Sequence, residues 1–207
     1  MRGILKPFYK EKGALKMISV RKALDWLAAV STKLLTGAAL LFAALFCLRK
    51  RAAYYCTALT AATLLYHLRM RRRMAGVVNR LMHNHADYTA AWFQPRQWEK
   101  PLYRCLHVKH WKRWLPTYDP DTFDLRQHSL SEVAQVMCQS EIVHEVSMAL
   151  SFLPMLTAPL LGCLPMLAVT SGAAALLDGV LVILQRYNRP RILHLIAREK
   201  RRAAAAT

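Results

Sequence analysis

Glu141, His144 and Glu145 stand at i, i+3 and i+4, so a helix through them presents two carboxylates and an imidazole on one face. A carboxylate beside an imidazole raises its basicity and fixes its tautomer, which is what a general base needs to deprotonate a hydroxyl. On that account His144 is the base and Glu141 orients it. The competing account is an interfacial polar turn solvated by lipid headgroups.

A second cluster, Gln185-Arg186-Tyr187-Asn188-Arg189-Pro190-Arg191, sets three guanidiniums within six residues. Three arginines can hold phosphates or a carboxylate in bidentate fashion, or form a basic flank on anionic lipid. The residue before a proline avoids the α region, so Arg189 is expected to mark a break in the chain. Lys109-His110-Trp111-Lys112-Arg113-Trp114-Leu115-Pro116 interleaves cations with tryptophans, as a segment seated at headgroup depth does. Stacking on single-stranded nucleic acid uses similar residues, but this segment lies between apolar runs, so no nucleic-acid partner is expected. His83 and His85, and the set Cys105, His107 and His110, have the residue types of metal ligands without a recognised ligand spacing, and no metal is expected.

The elements that must position these residues are apolar. The 207 residues are 55% hydrophobic with 20% charged, and the two kinds are segregated. From Val146 to Gln185 there is no Lys, Arg or Glu, and Asp178 is the one acid. The fold class expected is an all-α integral membrane protein of about four transmembrane helices in two hairpins, with a cytoplasmic helical and loop region between them. Segment one spans about Leu24 to Leu48 and segment two Ala52 to Leu68, each near the lower length limit for crossing a bilayer, which leaves a re-entrant first hairpin open. Segments three and four share the uncharged run, with Gly162-Cys163-Leu164-Pro165 as the turn between them.

Lys and Arg number eight in the first thirty-three residues, three between segments one and two, twelve from Arg69 to Glu145, none between three and four, and seven from Arg186 onward. The excess of positive charge places both termini and the central region in the cytoplasm of a multi-pass protein of a bacterial cell membrane. The net charge of +18 is thereby read as membrane flanks. The first thirty-three residues include Ile18, Ala23, Leu24, Trp26 and Leu27 as an interfacial apolar stripe. In the central region Met74 to Phe93 reads as helix, Pro95, Pro101, Pro116 and Pro120 as loop, and a helix starts at Ser129 or Ser131 with Glu132 in its first turn. The domain division expected is 1–70 for the basic segment and first hairpin, 71–97 for an amphipathic connector, and 98–207 for the region bearing the chemistry. Cys47, Cys56, Cys105, Cys138 and Cys163 form no CxxC pair and read as reduced thiols.

Val108-Lys109-His110-Trp111-Lys112 with Leu115-Pro116, Phe123-Asp124-Leu125-Arg126, Ser129-Leu130, Glu141-Ile142-Val143-His144 and Gln185 to Arg191 occur in one order over Trp98 to Arg202. In this the chain resembles the small membrane acyltransferases typified by glycosyl-4,4'-diaponeurosporenoate acyltransferase, of staphyloxanthin-type carotenoid biosynthesis. It departs from that family at Val136-Met137, where Glu-Thr is usual, and at Asp178-Gly179-Val180, where Asn-x-Pro is usual. The resemblance implies transfer of a fatty acyl group from acyl-CoA or an acyl-carrier protein to a hydroxyl of a glycosylated, carotenoid-like lipid acceptor, with no bound cofactor. It implies His144 and Glu141 as catalytic residues, and Arg186, Tyr187, Asn188, Arg189, Arg191, Lys109, Trp111 and Lys112 as substrate-binding residues. Two rival functions remain open on the residues: a non-catalytic membrane protein holding anionic lipid on its basic rim, and a metallohydrolase using Glu141 and His144.

Overall fold

The computed structural model describes residues 5–83, 85–115 and 128–205, with side chains from Lys22 onward apart from that of Arg113. The Ile18 position of the expected interfacial stripe, Pro116, Pro120 and the Phe123 to Arg126 block lie outside the described side chains or residues. Among the described residues every element is helical: α1 (Leu5–Arg49), α2 (Ala52–Leu81), α3 (Glu99–Cys105), α4 (Val108–Trp111), α5 (Leu130–Leu150), α6 (Ala158–Leu161) and α7 (Leu164–Ala204).

Three stretches are long and apolar enough to cross a membrane: Lys22–Arg49, Leu130–Leu161 and Leu164–Ala204. The outward faces agree, because large apolar side chains point away from the protein, among them Leu34, Leu40, Leu160, Val169 and Leu176. Such a surface suits lipid rather than water. The second expected segment falls in α2, which lies outside that set of three. It continues unbroken to Leu81, so the basic Arg69 to Arg73 stretch rides on the same helix.

α1 returns into α2 across two residues, with Phe42 against Tyr54 and Phe46 against Tyr55. α2 in turn packs on α5 and α7, which make the most extensive contact in the molecule. Two tyrosines of α2 tie it to the ends of α5 and α6: Tyr66 donates to the Leu150 carbonyl at 2.8 Å and Tyr55 to the Leu161 carbonyl at 2.5 Å. The turn between α6 and α7 falls at Gly162 and Cys163, with φ of 70° and 56°. Glycine has no Cβ to oppose that conformation. The turn brings the Cys163 sulfur to 3.4 Å from that of Cys56, both as free thiols.

Of the two expected starts, Ser129 and Ser131, it is Ser129 that caps α5, reciprocally with Glu132: the Ser129 hydroxyl accepts from the Glu132 amide at 3.2 Å and the Glu132 carboxylate accepts from the Ser129 amide at 2.7 Å. Two expectations fail. The Met74 to Phe93 helix ends at Leu81, with His83 at a φ of 52°, and only Ala91–Phe93 resumes as a single 3-10 turn. Arg189 is not a break, because α7 runs through Pro190 to Ala204. An interior proline costs about 3 kcal/mol; here Arg186 and Arg189, on the preceding turn, are clamped into buried ion pairs that hold the helical course.

Candidate active site

α5 and α7 carry two buried charge clusters at successive levels of the bundle. At the first, Glu141 is wholly buried and receives one guanidinium on each oxygen: Arg186 Nη1 on Oε1 at 2.5 Å, and Arg189 Nη1 on Oε2. Arg186 also forks onto Glu99 Oε1, from Nε at 2.8 Å and from Nη2 at 2.6 Å. Its remaining donors reach the carbonyls of Trp92 at 3.1 Å and Gln94 at 3.3 Å. That accounts for all five guanidinium protons. Arg189 donates from Nε to the Phe93 carbonyl at 3.0 Å and lies over the Phe93 ring. The two arginines therefore pin the connector before α3 onto the bundle, where Ala86 and Phe93 pack on Cys138.

Glu141 consequently does not orient His144, contrary to the sequence expectation, since both its oxygens are taken by arginine. Arg186 uses all its donors on these partners, and Arg189 is turned inward onto Glu141 and the Phe93 carbonyl, its side chain 2% exposed. Spacing on one helix put Glu141 and His144 on one face, but the neighbours that α7 supplies decide which carboxylate each group meets.

The partner of His144 is Asp178, on α7. Its Oδ1 lies 3.1 Å from His144 Nδ1, and its Oδ2 accepts from Arg71 of α2, at 2.9 Å from Nε and 2.7 Å from Nη2. Arg71 is fixed further by the Ala174 carbonyl at 2.5 Å. Asp178 is fully buried, and His144 is about a quarter exposed. The Asp178 carboxylate is complemented by the Arg71 guanidinium on its other oxygen. Its Oδ1 accepts a hydrogen bond from Nδ1–H, so the tautomer assigned from this partner leaves the lone pair of His144 on Nε2. An imidazole held from behind in this way has the geometry in which a general base can be oriented.

Nearer the end of α7, Lys112 Nζ donates to Asn188 Oδ1 at 2.9 Å and sits 4.5 Å from the centre of the Tyr187 ring. Burial, and then the charge of Arg191, pull the Lys112 ammonium below its ordinary value. Tyr187 packs edge-on against Tyr103, whose hydroxyl donates to Glu99 Oε2 at 3.1 Å. Burial, with the Glu99 charge beside it, pushes that phenol up. Lys109 and Arg191 are exposed, and Trp111 is half-buried with its indole on the Leu106 carbonyl at 2.9 Å. Lys112, Tyr187 and Asn188 are thus brought together with Arg191, while Glu145 turns aside to accept from the Trp92 indole at 3.1 Å. Among the described residues no three His, Cys, Asp or Glu side chains gather as a metal site.

Asp178, Arg71, Glu99 and the buried His67 were missed by reasoning from sequence. Asp178 carried a signal, as the lone acid of a forty-residue stretch without other charge. An ionisable residue in an apolar span marks a functional site by default. Arg71 had none to separate it from its basic neighbours, and Glu99 had none in a proline-rich stretch.

The helices and their apolar outer faces define a membrane protein, all-helical among the described residues, in which His144 pairs with the buried Asp178. A family model matches residues 89–198, more than half of the chain, and the chain belongs to the glycosyl-4,4'-diaponeurosporenoate acyltransferase family. No curated protein and no solved structure matches it.

Proposed function

We propose that the protein is a membrane O-acyltransferase in which His144, held by Asp178, is the base that deprotonates an acceptor hydroxyl. The observation that carries this reading is the 3.1 Å contact between His144 Nδ1 and the buried Asp178, itself anchored by Arg71. The family match supplies the reaction class. In the reaction, the acceptor O–H proton passes to His144 Nε2 as the oxygen attacks the carbonyl carbon of an acyl thioester. The tetrahedral adduct collapses with cleavage of the C–S bond, and His144 returns the proton to the departing thiolate. One ester and one thiol result.

The donor is acyl-CoA or acyl-carrier protein, and its anionic part meets Lys112, Arg191 and Lys109 at the rim. The acceptor is a lipid-like glycosylated alcohol of the carotenoid type. α2 completes a four-span arrangement in a bacterial cell membrane, with both termini cytoplasmic by the distribution of Lys and Arg. Trp92, Trp98, Trp111 and Trp114 fall on that same side, as an interfacial belt does.

Membranes containing the protein, given radiolabelled acyl-CoA or acyl-carrier protein and a lipid extract from the host, are expected to form a labelled lipid ester with one thiol released per ester. Thiol release without an ester, or no reaction with either donor, would overturn the reading.

A further inference from the structure

Several hydroxyls in this bundle are satisfied along their own helix, and two buried serines are not. Thr32, Thr36, Thr57, Thr60, Thr63 and Ser151 each donate to the carbonyl four residues back, at 2.7–2.8 Å, which satisfies a hydroxyl without any outside partner. Ser147 and Ser171 are 1% and 0% exposed, and their Oγ atoms have no partner. His67 is 3% exposed with neither ring nitrogen paired. Each buried polar group left in that state costs about 1–3 kcal/mol, and groups that persist so are satisfied by something else.

Their positions are not scattered. Ser147 is one turn beyond His144 on α5, Ser171 two turns before Asp178 on α7, and His67 one turn before Arg71 on α2. At a rise of about 1.5 Å per residue, all three stand roughly 5–10 Å from the His144–Asp178–Arg71 level. The side is the same for all: toward the turn at Gly162. His67 also lies within electrostatic reach of both Arg71 and Asp178.

One further turn in that direction is an open groove of about 280 Å³, lined by Leu59, Thr63, Tyr66, Leu153, Leu161 and Leu167, among others. Thr63 and Leu167 are the residues one turn on from His67 and Ser171. The Tyr66 ring stands edge-on to His67 with centroids 5.3 Å apart. The unpaired donors thus lie, along the three helices, between the apolar groove, whose lining they do not join, and the His–Asp pair.

We propose that this seam is the acyl subsite: the donor's hydrocarbon chain lies in the groove, and its thioester carbonyl oxygen accepts from Ser147, the hydroxyl at the level nearest His144, with His67 and Ser171 following toward the groove. This rests on the acyl-transfer reading above. The charge that develops on the carbonyl oxygen when the acceptor attacks would meet donors already fixed in a dry site, where they count most. The carbonyl carbon then sits beside His144, and the thioester sulfur points back to the cationic rim that holds the rest of the donor.

Two variants test it in membranes of the full chain. Ala62 also lines the groove and is exposed, so Ala62→Trp places bulk there and is expected to lower kcat/KM for palmitoyl-CoA relative to octanoyl-CoA by about tenfold or more. Ser147→Ala combined with Ser171→Ala is expected to lower kcat by about 10²-fold or more for both donors, with KM for the donor little changed. An unchanged chain-length ratio in folded Ala62→Trp protein, or full kcat in the folded double variant, overturns the subsite. If the double variant does not fold, the chain-length ratio of Ala62→Trp alone decides. Absence of any transfer by the unaltered protein would instead overturn the acyltransferase reading itself, so the two failures are told apart.

Discussion

Asp178→Asn is expected to lower acyl transfer by about 10²- to 10⁴-fold, the range a positioned base contributes, in protein that still inserts and folds. The amide keeps the size and shape of the carboxylate but cannot hold the same proton. With its NH₂ facing Nδ1, the His144 tautomer reverses and the lone pair leaves Nε2, the nitrogen that must face the acceptor. With its oxygen facing Nδ1, the amide presents NH₂ to Arg71, which has no acceptor capacity. Either orientation breaks one of the two contacts. Turnover measured per folded molecule is the readout, and activity within twofold of the unaltered protein would show that Asp178 only holds helices together.

Glu141→Ala is expected to act on the fold instead. It strips the carboxylate from Arg189, which is 1% exposed and is then left with the Phe93 carbonyl, the Cys138 sulfur and the Phe93 ring. Breaking a buried ion pair by removing one partner costs about 3–5 kcal/mol, because the other charge remains buried. Arg186 retains Glu99, so the loss concentrates on Arg189 and on the connector that Arg189 anchors. Lower yield in detergent and an earlier thermal transition are the expected results. Were Glu141 an orienting residue for His144, Glu141→Gln would abolish activity without moving the transition; the geometry predicts that activity per folded molecule survives.

Much of this architecture could be read from the residues because its causes are local. The uncharged run from Val146 to Gln185 and the Gly162-Cys163 turn need no knowledge of neighbours. The Ser129 cap is a matter of three residues. The Pro190 prediction failed because a tertiary cluster outweighed a local rule: Arg186 and Arg189 are bound on the turn before the proline, and the helix is carried through. His144 was picked out by type and position. Its expected partner is Glu141, one turn back on the same helix, since spacing ranks neighbours on one helix and says nothing of those on another. Glu141 instead pairs with arginines forty-five and forty-eight residues away, and Asp178 reaches His144 from thirty-four. The basic block from Gln185 to Arg191 divided in a way composition cannot show. Arg186 and Arg189 turned inward as structural cations, leaving Tyr187, Asn188 and Arg191 beside Lys112.

The central claim is that His144 Nε2 takes the acceptor's proton, and chemical rescue tests it most directly. In membranes carrying His144→Ala, acyl transfer is expected to fall by about 10²-fold or more, and added imidazole is expected to restore part of it in proportion to its concentration. A folded His144→Ala protein that transfers acyl groups at the full rate without imidazole would contradict the account.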